Sequence, residues 1–374
     1  MDDARALPTL STGVIGQPKT ALDTPSLLVD LDIMEQNIAR MAKAILGRGL
    51  GWRPHTKGMK IPALAHRLIK AGAHGVTCAK LGEAEVMAAG GIGDILVANQ
   101  IVGPVKIQRL VNLQRHADVM VAVDNWDNIR EIDAAAIAAG VRVRVLVEVN
   151  TGMNRAGTKP GEATVELAKK AAGLKGVKLA GLMTWEAHTL RISDPAEKKK
   201  AIEGAIATFL GTVKACRDAG VEIGIVSCGG TGTYWITATQ KGITEVQAGG
   251  GIFGDVLYRK SFGVDHPYAM TVLATVTSRP EPTRIICDAG KKTMTGDAAM
   301  PEPIGLGALA GMALSAEHTI VTLAEPNTAL RVGDKVEFVV GYTDTTLNLH
   351  DELVGIRKGK VEIVWSILGR GKLK

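Results

Sequence analysis

From residue 26 to about residue 265, short β-rich runs alternate with amphipathic stretches, and this rhythm narrows the possible folds more than any other feature of the chain. The β-rich runs fall at 26–31, 75–79, 94–98, 119–123, 143–149, 179–183, 223–227 and 244–247. Between them lie Ala-, Leu-, Lys- and Glu-rich segments with helical spacing, such as 34–46, 161–172 and 198–219. Roughly eight βα units of this length suit a closed (β/α)8 barrel better than an open sheet. The pattern changes near Tyr268. Beyond it, β-rich pieces at 269–277, 284–288, 319–323, 335–340 and 360–367 are separated by turn signals such as Val332-Gly333-Asp334 and Arg357-Lys358-Gly359. The expected organisation is an α/β chain with a barrel over 25–265 and a second, mostly antiparallel β-domain built from 266–374 together with 1–24.

A length of 374 residues is enough for two such domains. Aromatic residues make up only 3% of the chain, so a base-stacking surface is not expected. The formal charge of +6 is spread along the sequence apart from Lys198-Lys199-Lys200 and the C-terminal tail, which argues against a nucleic-acid partner. Cys78, Cys216, Cys228 and Cys287 show no CxxC spacing, which disfavours a disulfide framework or a zinc–cysteine site and fits a reducing cytoplasm. The first residues are polar and carry no signal-peptide core, and no apolar stretch is long enough to span a bilayer. A soluble, cytoplasmic protein is expected.

Three segments near strand ends could carry chemistry, since barrel enzymes build their sites there. The first is Arg53-Pro54-His55-Thr56-Lys57, where Lys57 follows a short strand. Burial or a neighbouring cation turns such an amine into a nucleophile able to form a Schiff base with an aldehyde cofactor. The second runs from Glu148 to Gly157 and sets Arg155 in a turn; taken alone, Arg155 reads as a surface turn residue. The third is Ser227-Cys228-Gly229-Gly230-Thr231-Gly232-Thr233, followed after the next strand by Gln247-Ala248-Gly249-Gly250-Gly251. Each glycine cluster alone reads as a flexible loop. Two of them after consecutive late strands form a nest of N–H groups and hydroxyls suited to phosphate. Gly249, Gly251 and Gly254 also satisfy GxGxxG, but that fingerprint needs an early βαβ unit and a later carboxylate, and 269–278 contains none. A nicotinamide cofactor is therefore not expected. Past the run at 179–183 come Glu186 and His188; the histidine reads equally as a general base and as a loop residue bonded to backbone.

Arg53-Pro54-His55-Thr56-Lys57 resembles the Arg-Pro-His-x-Lys motif of the D-threonine aldolase and D-serine dehydratase group of pyridoxal-phosphate (PLP) enzymes. The resemblance extends over Gly75–Lys80 with Glu83-Ala84-Glu85, Thr151–Gly157, Cys228–Tyr234, Glu245–Gly249, Asp288-Ala289-Gly290 and Asn348–Asp351. It implies an alanine-racemase-like barrel with a C-terminal β-domain, and a homodimer in which the partner completes each site. Lys57 is then the Schiff-base lysine and Arg155 the cation beside the cofactor's phenolic oxygen. Gly230, Thr231, Gly232, Thr233, Gly249 and Gly250 supply phosphate contacts, with His55 and Gln247 completing the cofactor set. The implied activity is cleavage of small D-β-hydroxy amino acids such as D-threonine to glycine and an aldehyde. A PLP-dependent racemase, a D-serine-type dehydratase and a non-catalytic PLP carrier are the alternatives. Family members carry a divalent metal on a histidine and, two residues on, an aspartate or cysteine. Here the segment reads Gly341-Tyr342-Thr343-Asp344. A neutral phenol is a poor ligand for Mn, Mg or Zn, so Asp344 is left as a weak metal ligand unless His350 or Asp351 joins it. Tyr342 and His188 are the candidate acid–base groups.

Overall fold

A computed structural model describes residues 12–374. Strand β1 (Ser26–Asp30) runs directly into helix α1 (Leu31–Leu46), and the Asp30 carboxylate caps that helix by accepting from the Ile33 N–H. The alternation that begins at 26–31 makes this segment the expected first barrel strand. Instead β1 leaves the barrel and pairs with two strands of the second sheet, antiparallel to one and parallel to the other. Its middle residues Leu27, Leu28 and Val29 are buried on both faces, and an apolar run of that kind does not reveal which sheet it joins.

The barrel consists of eight parallel strands: β2 (Gly51–Trp52), β3 (Val76–Cys78), β4 (Asp94–Gln100), β5 (Asp118–Val123), β6 (Val143–Glu148), β7 (Val177–Met183), β8 (Ile225–Cys228) and β9 (Glu245–Val246). They run in the order β2-β9-β8-β7-β6-β5-β4-β3. The ring closes where the chain beyond β2 lies along β3: the Thr77 N–H donates to Pro54 O at 2.9 Å and the Thr56 N–H to Thr77 O at 2.7 Å. The short strand expected before Lys57 is β2, and it leads directly into the lysine motif.

Alternation along the strands divides the core. Leu96, Met120, Ala122, Leu146 and Met183 form one cluster, whereas Ile95, Val97, Val119, Val121, Val145 and Val147 join the larger cluster that includes the helices. At the N-terminal ends of the strands the filling is ionic. The buried guanidinium of Arg53 bonds Asp94 at 2.9 and 3.1 Å and Glu245 at 2.9 Å, and Arg144 spans Asp94 and Asp118. Arg53 thus ties three strands together on the side opposite the active-site face, so its contribution to the motif is stability.

The second sheet has nine strands: β1, β10 (Met270–Glu281), β11 (Arg284–Cys287), β12 (Glu302–Pro303), β13 (Leu309–Leu314), β14 (Thr319–Leu323), β15 (Lys335–Val339), β16 (Glu352–Arg357) and β17 (Lys360–Ser366). All pairings are antiparallel except β1 with β16. The chain after β15 crosses to the barrel mouth, where the Val256 and Leu257 N–H groups donate to Val340 and Gly341 carbonyls. Among the described residues, no helix is long and apolar enough to cross a membrane, and all four cysteines are free and buried.

Candidate active site

The turn that carries Lys57 is fixed by one buried carboxylate. Glu83, in the first turn of the helix after β3, accepts from the Thr56 hydroxyl, from the Ala79 N–H at 3.1 Å and from the Lys60 ammonium at 3.4 Å. Lys60 holds a positive φ of 51°, so the turn is tight, and the loops after β2 and β3 become one unit. The Lys57 side chain is 43% exposed and its Nζ lies 2.8 Å from Asp344 Oδ2. The Lys57 N–H donates to His55 Nδ1 at 3.3 Å, which leaves the proton of the neutral ring on Nε2. Desolvation, aided by the Lys57 charge, drives the His55 pKa down to about 3, so this imidazole is neutral at ordinary pH.

Opposite the lysine, the two glycine clusters form a nest. Glu186, fully buried, accepts from the hydroxyls of Thr233 and Thr237 at 2.7 Å each and from the Gly229 N–H at 3.3 Å. The Gly251 N–H donates to Thr231 Oγ1 at 3.0 Å and joins the two clusters. Gly249 packs on the lysine segment so closely that a Cβ there would stand 2.1 Å from His55 O. Gly230 is covered by Trp185, whose ring a Cβ would meet at 2.3 Å. The N–H groups of Thr231, Gly249 and Gly250 find no backbone or side-chain acceptor among the described residues, which leaves three donors for an incoming anion.

Lysine and nest face each other across a cavity of about 240 Å³. Its wall contains His55, Lys57, Arg155, Gly230, Thr231, Gln247, Gly249 and Gly250. Arg155 reaches in from its turn with Glu148 Oε1 3.6 Å away. Gln247 donates to Ser227 Oγ at 2.9 Å, and that hydroxyl donates to Glu245 at 2.7 Å, so the cavity floor connects to the ionic barrel filling. Two expected phosphate residues stand behind the wall. Gly232 backs onto Leu190, and the Thr233 hydroxyl is committed to Glu186. His188 is also off the wall: it is exposed, with its ring against Gly152, where a Cβ would come within 2.8 Å of Nε2.

Several wall residues escaped sequence reasoning. Tyr258 projects into the nest from a π-helical turn (Leu257–Ser261), a distortion that a helical periodicity scan does not register. Asn99 and Gln100 extend β4 beyond its apolar run, and Gln100 donates to Glu148 at 2.7 Å. His266 lies behind the nest: because Gly251 O only accepts, Nδ1–H donates to it at 2.6 Å, and Nε2 accepts from the Tyr234 hydroxyl at 2.9 Å. A larger cavity of about 440 Å³ lies on the far side of Tyr234 and His266 and contains neither Lys57 nor the glycine triplet.

The segment 341–344 comes from the β-domain and closes the site beside the lysine. Asp255, fully buried, holds it by accepting from the Tyr258 N–H at 2.8 Å and the Thr343 N–H at 2.9 Å. Desolvation pushes the Asp255 carboxyl up to about 7 despite those two bonds. The Tyr342 hydroxyl donates to Asp344 Oδ2 at 2.7 Å. Burial opposes ionisation of Asp344, but Lys57 and the Tyr342 bond prevail and hold its carboxyl below the usual range. Burial beside Asp344 drives the Tyr342 phenol upward, so it stays protonated. His350 turns away and donates to Thr293 O at 2.7 Å, and Asp351 pairs with Arg370. No group of three histidine, cysteine or acidic side chains able to hold a metal exists among the described residues. A divalent cation does not fit this donor set.

Residues 29–256 match the family model for the alanine racemase N-terminal domain, and residues 269–356 match that for a putative serine dehydratase domain. The chain is 35% identical to D-threonine aldolase of an Arthrobacter species, over 95% of both chains. The chain belongs to the D-threonine aldolase and D-serine dehydratase family. It is also 34% identical to 3-hydroxy-D-aspartate aldolase of Paracoccus denitrificans (strain Pd 1222), over 96% of this chain and 94% of that one. The crystal structure of D-threonine aldolase from Filomicrobium marinum superposes with a TM-score of 0.93 at 34% identity, covering 96% of this chain and 99% of the other. The expected barrel-plus-β-domain architecture is therefore the family fold.

Proposed function

We propose that this chain is a PLP-dependent aldolase that cleaves small D-β-hydroxy amino acids, such as D-threonine, to glycine and an aldehyde. The observation that supports this best is the facing arrangement of one exposed lysine amine and a nest of three free backbone N–H groups across a cavity of cofactor size. The close approach of Gly249 to His55 supports the same reading, because a side chain there would fill the cradle. Thr231, Gly249, Gly250 and the Tyr258 hydroxyl would hold the phosphate, and Lys57 would carry the cofactor aldehyde. When bound, PLP supplies the electron sink for the charge left at Cα after the Cα–Cβ bond breaks.

The protein residues divide the remaining work. Arg155 brings positive charge to the cavity and attracts the anionic end of the substrate or cofactor, while Glu148 and Gln100 keep its turn in place. Neutral His55 offers an Nε2–H donor without repelling the lysine. Trp185 covers Gly230 and excludes water from that side. Lys57 and Asp344 are the groups beside the cavity mouth that can hold or move the β-hydroxyl proton. The homodimer belongs to the same proposal, and light scattering should find about twice the 39.3 kDa chain mass.

Purified protein given PLP should show a visible absorbance band that borohydride bleaches, and should release acetaldehyde from D-threonine. Lys57→Ala should lose both. Pyruvate from D-serine without any aldehyde from D-threonine would replace the aldolase proposal with a dehydratase.

A further inference from the structure

Among the described residues there is neither the histidine nor the ligand cluster that a resident cation at the substrate hydroxyl would need, yet Asp344 keeps a polar, buried group there. Asp344 is 11% exposed, and its two oxygens are used unequally. Oδ2 carries both the Tyr342 hydroxyl and the Lys57 ammonium, whereas Oδ1 is buried with no hydrogen-bond partner. That free oxygen faces Gly58, where even a Cβ would intrude to 2.3 Å. Oδ1 is thus sealed against Gly58, and the oxygen beside the cavity-lining Lys57 amine is Oδ2; when that amine is engaged elsewhere, Oδ2 keeps only the Tyr342 donor and can accept a further hydrogen bond.

The neighbouring imidazoles cannot convert this carboxylate into a cation site. The ring nitrogen of His55 that bears the lone pair is already occupied by the Lys57 N–H, and His350 is turned onto Thr293 O. Tyr342 contributes a proton, not a lone pair, to Asp344. Its ring packs against Tyr258 with centroids 6.2 Å apart, so the phenol is held on the carboxylate by the wall of the nest.

We propose that Asp344, oriented by the Tyr342 hydroxyl, accepts the hydrogen bond of the substrate's β-hydroxyl where a divalent cation would otherwise bind it. Tyr342 is a positioning residue that acts through Asp344. The inference takes the substrate class from the aldolase proposal, but its test reads binding and metal content instead of turnover.

Protein loaded with PLP should contain well under one Mn, Mg or Zn ion per chain by elemental analysis, and should bind added Mn²⁺ no tighter than millimolar by calorimetry. Tyr342→His should introduce Mn²⁺ binding. Titration of the cofactor absorbance with D-threonine and with D-2-aminobutyrate, which lacks only the hydroxyl, isolates the new contact. Tyr342→Phe should weaken D-threonine by about 10-fold, as expected for one charge-assisted hydrogen bond, while leaving D-2-aminobutyrate unchanged. Asp344→Asn should weaken D-threonine further. About one divalent ion per chain in the wild type, micromolar Mn²⁺ binding, or equal weakening of both amino acids by Tyr342→Phe would overturn the proposal. Discrimination between the two amino acids without any aldehyde release would sink the aldolase proposal alone.

Discussion

Asp255→Asn isolates the contact that fixes the 341–344 segment against the barrel. The carboxyl has no solvent exposure and accepts two backbone N–H groups. Its pKa is raised by burial to about 7 from an ordinary 3.8. Below 3.8 the group is protonated in both folded and unfolded chains and has no effect on stability. As pH rises from there to 7, the unfolded chain ionises while the folded chain does not, so stability falls; above 7 the loss has reached its full value. A displacement of that size is equivalent to about 4 kcal/mol, of which roughly 3 kcal/mol develops between about pH 5 and pH 8.5. Asparagine does not titrate. It keeps one carbonyl acceptor and turns an NH2 toward the other N–H, a loss of about 1–3 kcal/mol that does not change with pH. Urea unfolding of PLP-loaded protein, followed by tryptophan fluorescence, should therefore move in the variant's favour by about 3 kcal/mol relative to wild type between those two pH values. A difference that stays constant with pH would refute the account of how this loop is held.

Other expectations concern the nest. Gly249→Ala places a methyl 2.1 Å from His55 O, so the lysine segment must move; PLP affinity should fall more than about 10-fold in an absorbance titration, with destabilisation of about 1–3 kcal/mol. His266→Phe keeps a ring but removes the donor to Gly251 O, and should weaken PLP by up to about 10-fold, the value of one neutral hydrogen bond. Tyr234→Phe should shift affinity in the same direction by less, because His266 still reaches Gly251.

Much of this architecture was legible because hydrophobic periodicity reports local geometry. The strands at 94–98, 119–123 and 143–149 each bury an alternating apolar run between the barrel interior and a helix, and each lies where expected. Pairing partners are less accessible. Nothing in Ser26–Asp30 distinguishes a barrel strand from one that pairs with β10 and β16, because those partners lie more than two hundred residues away. Lys57, Gly230, Gly249 and Gly250 share one cavity wall, as the sequence led us to expect, because their backbone demands are local. Thr233 resembles a phosphate ligand in sequence but commits its hydroxyl to Glu186, an interaction no spacing rule indicates. His188 follows a barrel strand yet points outward, since the short helical turn at Ala187–Thr189 decides its direction. Tyr258 was hidden by its π turn, and the link between Asp344 and Lys57 depends on a crossing between domains.

The position of β1 also bears on how such a chain can be recombined. Its hydrogen bonds to β10 and β16 place a piece of the amino-terminal half inside the carboxy-terminal sheet, and Asp30 passes into α1 without any spacer. A chimera that exchanges only residues after 266 would leave an unmatched ribbon in the middle of the new sheet. Donor modules must therefore bring their own version of residues 26–30, and with it the anchoring of the segment that reaches Lys57.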